Sequence, residues 1–210
     1  MGAPELTRQR QLTINQDSRA AAATQFEGKS VTERRVALLR GINVGKAKRI
    51  AMADLRKLFE GLGYGNVRTL LNSGNVVFTV VKKSGGDDAA RIEKVIANRL
   101  GVATRVTVLM AKEVAEAVRE NPFCSIADNP SRLLLMVLRD SNAAAQLQPL
   151  LKERWTPDAL ALGKRVAYLW CANGIMDSRL CATANRVVGD AGTARNLATM
   201  AKLLALIEGS

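Results

Sequence analysis

Arg40-Gly41-Ile42-Asn43-Val44-Gly45-Lys46 sets two glycines and an asparagine between two cations, with Lys48 and Arg49 close behind. An apolar run precedes this stretch and a helical pattern follows it. A glycine loop joining a strand to a helix can present backbone N–H groups to an anion, and flanking cations add charge. The spacing is neither GxxxxGK[ST] nor GxGxxG, so it carries no nucleotide fingerprint. A simpler account is that Gly41 and Gly45 permit tight turns while Asn43 bridges the loop backbone. Three more groups join Arg40, Asn43 and Lys46 as candidate anion ligands. Asn72 and Asn75 flank Ser73-Gly74 in a hairpin turn, where their amides can read a ligand or merely tolerate positive φ. Ser178 and Arg179 open a helical pattern, with Asp177 or Ser178 as the N-cap and anion binding at the helix start as the alternative. Arg195 and Asn196 precede the last helix. Should the two halves of the chain face each other, Arg40, Arg179 and Arg195 would converge on a polyanion.

Other chemistries find little support. The chain has no histidine, which removes Ser-His-Asp and Cys-His catalysis and His-ligated zinc. Ser73 has no GxSxG frame. Cys124, Cys171 and Cys181 form no CxxC pair and are expected to be reduced, mostly buried thiols of a cytoplasmic protein. Asp87-Asp88 reads as a solvated helix cap. No cofactor and no metal site are expected, and the catalytic residues of an enzyme are not legible.

Net charge is +12 over 210 residues, with 31 Lys and Arg against 19 Asp and Glu. The segment through Arg35 accounts for +2, leaving +10 for the remainder. A phosphate-bearing ligand or nucleic acid is therefore the expected partner. Such a binder need not be an enzyme. The alternatives are a small-molecule enzyme with a polar cleft between the halves, or a protein-interaction module. No run of about 18 apolar residues exists, so no membrane span is expected. Oligomeric state is not legible.

The positioning elements follow from periodicity. Residues 1–34 are polar, lack an apolar leader pattern and read as a flexible extension. Residues 36–39 form a short, doubly buried strand. Leu55, Leu58, Phe59 and Leu62 make one helical stripe over 52–62. Strands over 67–71 and 76–80 flank the turn. A helix over 89–100 and a strand over 104–110 complete a βαββαβ order, the split βαβ unit of ferredoxin-like folds. A short helix over 112–119 follows, then a Pro-containing linker over 122–131. The order then returns: strand 132–138, helix 143–154, strands 158–162 and 166–171, helix 178–188, short strand 193–196 and helix 198–207. The expected fold is α+β, with two ferredoxin-like (βαββαβ) subdomains in tandem over 35–121 and 132–210. Each carries an added helix.

The run RGINVG, then VRTLLNSGNVVF, Asn121-Pro122-Phe123, Tyr168-Leu169-Trp170, Ser178-Arg179-Leu180 and the segment 193–196 together resemble the domain of unknown function 1697 family. The resemblance spans about 35–207. It implies an α+β protein of two ferredoxin-like halves and no established activity. The chain departs from the family pattern at Lys46, Ala51, Leu70, Asn72 and Leu197.

Overall fold

The computed structural model describes residues 32–44, 49–81 and 87–209. Most of the expected extension, residues 1–31, lies outside the described residues, as does Lys46. The first half runs β1 (Thr32–Leu39), α1 (Met52–Gly61), β2 (Gly65–Leu70), β3 (Asn75–Val81), α2 (Asp88–Leu100), β4 (Val106–Met110) and α3 (Ala111–Arg119). The second runs β5 (Leu133–Leu138), α4 (Ser141–Leu147), β6 (Ala159–Leu162), β7 (Val166–Trp170), α5 (Arg179–Val188), β8 (Gly192–Asn196) and α6 (Leu197–Glu208). The protein is thus α+β, with two four-stranded antiparallel sheets and six α-helices among the described residues. The sheet orders are β2-β3-β1-β4 and β6-β7-β5-β8.

Strand alternation sorts the apolar residues onto two faces of each sheet. Ala37, Leu39, Val76 and Phe78 pack with Leu55, Phe59, Ile92 and Ile96 beneath α1 and α2. Leu134, Met136, Leu138 and Leu169 do the same beneath α4 and α5. The opposite faces share one central core. Val36, Leu38, Val77 and Leu109 meet Leu133, Leu135, Tyr168 and Trp170 there. The added helices α3 and α6 pack into it through Val114, Ala117, Met200 and Leu203. Both central strands are therefore buried on two faces, and all six residues of β5 are buried. That is why they read as unbroken apolar runs.

Among the boundaries that shift, two have local reasons. β1 begins at Thr32, ahead of its apolar run, because its polar start pairs with β3 from Thr32↔Val81 onward. The helix expected over 143–154 ends at Leu147 and continues as a 3₁₀ turn, Gln148–Lys152, with proline in its first turn. Pro149 supplies no N–H to the ladder. Asp87, Ser178 and Asn196 cap α2, α5 and α6 by accepting from Ala90, Cys181 and Thr199 N–H.

Candidate functional site

β1 ends where the turn between β2 and β3 and the start of β8 come together. Gly74 closes the turn at φ 75°, and a Cβ there would stand 2.7 Å from the Leu39 Cβ. Only glycine fits both the backbone and the space. Asn43, itself at φ 56°, accepts from Ile50 N–H at 2.8 Å. Its amide donates to the carbonyls of Ile50 at 2.9 Å and Asn72 at 2.7 Å. The amide of fully buried Asn75 donates to the Leu70 carbonyl and to Ser73 Oγ. Asn72 is exposed and takes part through its carbonyl.

Arg195 links this corner to the second half. Its Nε donates to Asn75 Oδ1 at 2.5 Å. Nη1 donates to Thr193 Oγ1 and the Ala194 carbonyl. Nη2 donates to the carbonyls of Leu39 at 2.7 Å and Ser73 at 2.9 Å. All five N–H groups of the guanidinium are engaged, every acceptor is neutral, and three of them belong to the first half. Burial, and then the nearby charge of Arg40, lower its pKa to about 10.

Arg40 stands beside it. Its Nη1 donates to the Gly192 carbonyl, and its Nε lies 3.6 Å from Asp190, a 76% exposed carboxylate. Arg40 N–H donates to the Arg105 carbonyl at 2.8 Å, and Thr104 Oγ1 donates to the Arg40 carbonyl. The Arg40 side chain opens onto a cleft of about 590 Å³ that Lys94, Arg105, Glu93 and Asp190 also line. Lys94 has no ion-pair partner among the described residues.

A second cleft, of about 400 Å³, lies along the outer edge of β4. There the outward N–H groups of Val106 and Met110 donate to Glu93 at 2.9 Å and Glu113 at 2.8 Å. Each carboxylate also reaches an arginine of the second half, Glu93 with Arg139 at 3.4 Å and Glu113 with Arg165 at 2.7 Å. Two ion pairs thus divide a furrow between the halves. Deeper in it, buried Asp88 accepts from Tyr64 Oη at 2.7 Å and from Arg35. Burial and then that hydrogen bond push the Tyr64 pKa up.

The candidates therefore separate. Arg40, Asn43, Asn72, Asn75 and Arg195 meet at one corner, with Asn196 next in sequence capping α6. Ser178 and Arg179 make their contacts elsewhere. Ser178 Oγ donates to Asp158 at 2.7 Å, and Arg179 donates to the Arg154 carbonyl and stacks 4.8 Å over the Trp155 ring. Nearby lie the buried thiols of Cys171 and Cys181; their mutual interaction chiefly lowers Cys181 to about 7 and raises Cys171. All three cysteines are free. No metal-binding cluster of His, Cys, Asp or Glu occurs among the described residues. No helix among them is long and apolar enough to cross a membrane.

Sequence reading missed Lys94, Arg105, Glu93, Glu113 and the buried role of Asp88. Arg105 had a signal: β4 lies antiparallel beside β1 in the expected order, which sets Arg105 across from Arg40. The carboxylates had none, because a glutamate on an amphipathic helix looks the same whether it meets water or a distant strand edge.

Fold and site together define an α+β protein of two antiparallel four-stranded sheets, joined through a common core and clamped by an arginine from the second half. The family model described as "Protein of unknown function (DUF1697)" matches residues 32–168, and the chain belongs to that family. The match ends within β7, short of the segments around Ser178 and Arg195. A comparison with curated proteins gives no match. Among solved structures, the chain is similar to the conserved bacterial protein SP0830 from Streptococcus pneumoniae. Identity is 20% and the TM-score 0.61, over 84% of this chain and 99% of that one. At that identity the likeness speaks for the fold alone.

Proposed function

We propose that this protein is a non-enzymatic binder of a phosphate-bearing ligand, a nucleotide or the backbone of a nucleic acid, held at the cleft beside Arg40. The observation that carries the reading is convergence: Arg40, Lys94 and Arg105 line one open cleft, and Arg40 adjoins a second guanidinium, Arg195, that has no carboxylate partner among the described residues. An anion at Arg40 relieves the repulsion between the two cations. The wider surface favours the same ligand. Residues 35–121 hold 16 Lys and Arg against 8 Asp and Glu, so the first half carries +8 of the chain's +12. In this reading Arg40 is a ligand contact, while Asn43, Asn75 and Arg195 position it.

Binding is backbone-led. Phe78 is fully buried, edge-on to Phe59 at 5.4 Å, and both faces of its sheet are covered. Among the described residues no sheet aromatic is open for base stacking of the kind RNA modules use. We also take each half as ferredoxin-like, a reading supported by the βαββαβ order and by strand orders that set the first and third strands of each half at the sheet centre. The unit boundaries 35–121 and 132–210, with 122–131 between them, belong to the same reading. A cytoplasmic location fits the three free thiols.

Fluorescence anisotropy with labelled single-stranded RNA, DNA and nucleotides over a salt series tests the function. The affinity for a single strand should fall with salt, at a slope of about −0.7 per phosphate neutralised. Lys94→Ala and Arg105→Ala should each weaken binding for every sequence alike and flatten that slope. Absence of binding to all three probes at low salt defeats the proposal.

A further inference from the structure

Where the halves meet on the other side of the Glu113–Arg165 pair lies a cavity of about 250 Å³. Its floor is apolar, made by Leu109, Ala117, Val137, Val166 and the ring of Tyr168. Tyr168 Oη donates to the Ala117 carbonyl at 3.0 Å, so the hydroxyl is spent on the protein and the ring presents an apolar surface. Burial, and secondarily the charge of Glu120, raise the Tyr168 pKa to about 12. A cavity of about 150 Å³ accepts a benzene ring. This one has room for such a group and a charged head.

The walls carry opposite charge. Glu113 and Glu116 of α3 and Glu120 at its C-cap all line the cavity. Facing them, the turn between β6 and β7 supplies Lys164 and Arg165. Glu113 and Arg165 neutralise each other at 2.7 Å. Glu116, Glu120 and Lys164 have no ion pair or side-chain hydrogen bond among the described residues. An apolar floor between an acidic and a basic wall matches a molecule that is apolar at one end and carries both charges at the other.

We propose that this cavity binds a small zwitterion with an apolar body, of the α-amino-acid type, with its ammonium toward Glu116 and Glu120 and its carboxylate toward Lys164. The site is separate from the cleft beside Arg40, does not depend on phosphate binding there, and uses residues of both halves, where ligand pockets are favoured.

Isothermal titration of the full chain with L-leucine and L-phenylalanine, with their methyl esters and with their N-acetyl derivatives, tests it. The free amino acids should bind. Each charge-masked analogue should bind at least about tenfold more weakly, the loss expected for one charge-assisted contact. Lys164→Ala should abolish the discrimination against the ester, and the double variant Glu116→Gln/Glu120→Gln that against the N-acetyl form. Lys164 and Glu120 are exposed and Glu116 is half-buried, and a circular dichroism melt confirms that the variants fold. Equal affinity for free and masked forms, unchanged discrimination in both folded variants, or no heat with any free amino acid overturns the proposal.

Discussion

Arg195 illustrates how little a residue's charge says about its task. An arginine ahead of a helix invites an anion, yet here the guanidinium spends all five donors on neutral acceptors. Three of these, the Leu39 and Ser73 carbonyls and Asn75 Oδ1, belong to the first half. Removing the donor leaves partly buried acceptors unpaired, at about 1–3 kcal/mol for each poorly solvated group. Arg195→Ala should therefore destabilise the protein by about 3 kcal/mol. Arg195→Lys should recover less than half of that, because an ammonium cannot reproduce the planar fork. Urea unfolding at constant m-value measures both. A loss below about 0.5 kcal/mol for Arg195→Ala, the range of an ordinary surface change, contradicts the clamp.

At the scale of the element, the edge of β4 shows how a strand is kept from pairing with a stranger. Open strand edges recruit other chains, and charged side chains blunt them. Glu93 and Glu113 do this from the helices on either side of β4, each filling one outward N–H. Glu113→Gln keeps an oxygen for Met110 N–H and loses only its partly exposed ion pair, so it should cost under about 1 kcal/mol. Glu113→Ala also frees the edge N–H and should cost about 1–2 kcal/mol more. Thermal unfolding of the two variants checks the difference. Identical melting temperatures would mean that the carboxylate serves the ion pair alone.

The whole molecule is two similar halves that cannot be separated cheaply. The inner faces of both sheets, with α3 and α6, form one central core. Tyr168 bonds to α3 of the first half, and Arg34 donates to the Ile207 carbonyl of α6 at 2.5 Å. A chain ending at residue 131 would expose Val36, Leu38, Val77 and Leu109 on one sheet face, apolar surface worth about 25 cal/mol per Å² when buried. We expect such a fragment to bind a hydrophobic dye and to give a poorly dispersed amide NMR spectrum. A sharp, dispersed spectrum from the soluble fragment would show that each half folds alone.

What the sequence determined by itself was local. The period of Leu55, Leu58 and Phe59, the unbroken apolar run of β5, the caps at Asp87 and Ser178 and the turn at Gly74 are legible because their causes act within one turn or one strand. The repeated strand and helix order followed from them. The tertiary structure decided the pairings. Arg195 meets Asn75 across 120 residues, and Glu113 meets Arg165 across 52. Asp88, read as a solvated cap, became the buried partner of Tyr64 and Arg35. Such contacts depend on which faces of two sheets are pressed together, and no residue's own neighbourhood encodes that. The loop after β1 shows both limits. Gly41 and Asn43, both at positive φ, were legible as turn chemistry, whereas the neighbours of Arg40, namely Lys94, Arg105, Asp190 and Arg195, were supplied by packing.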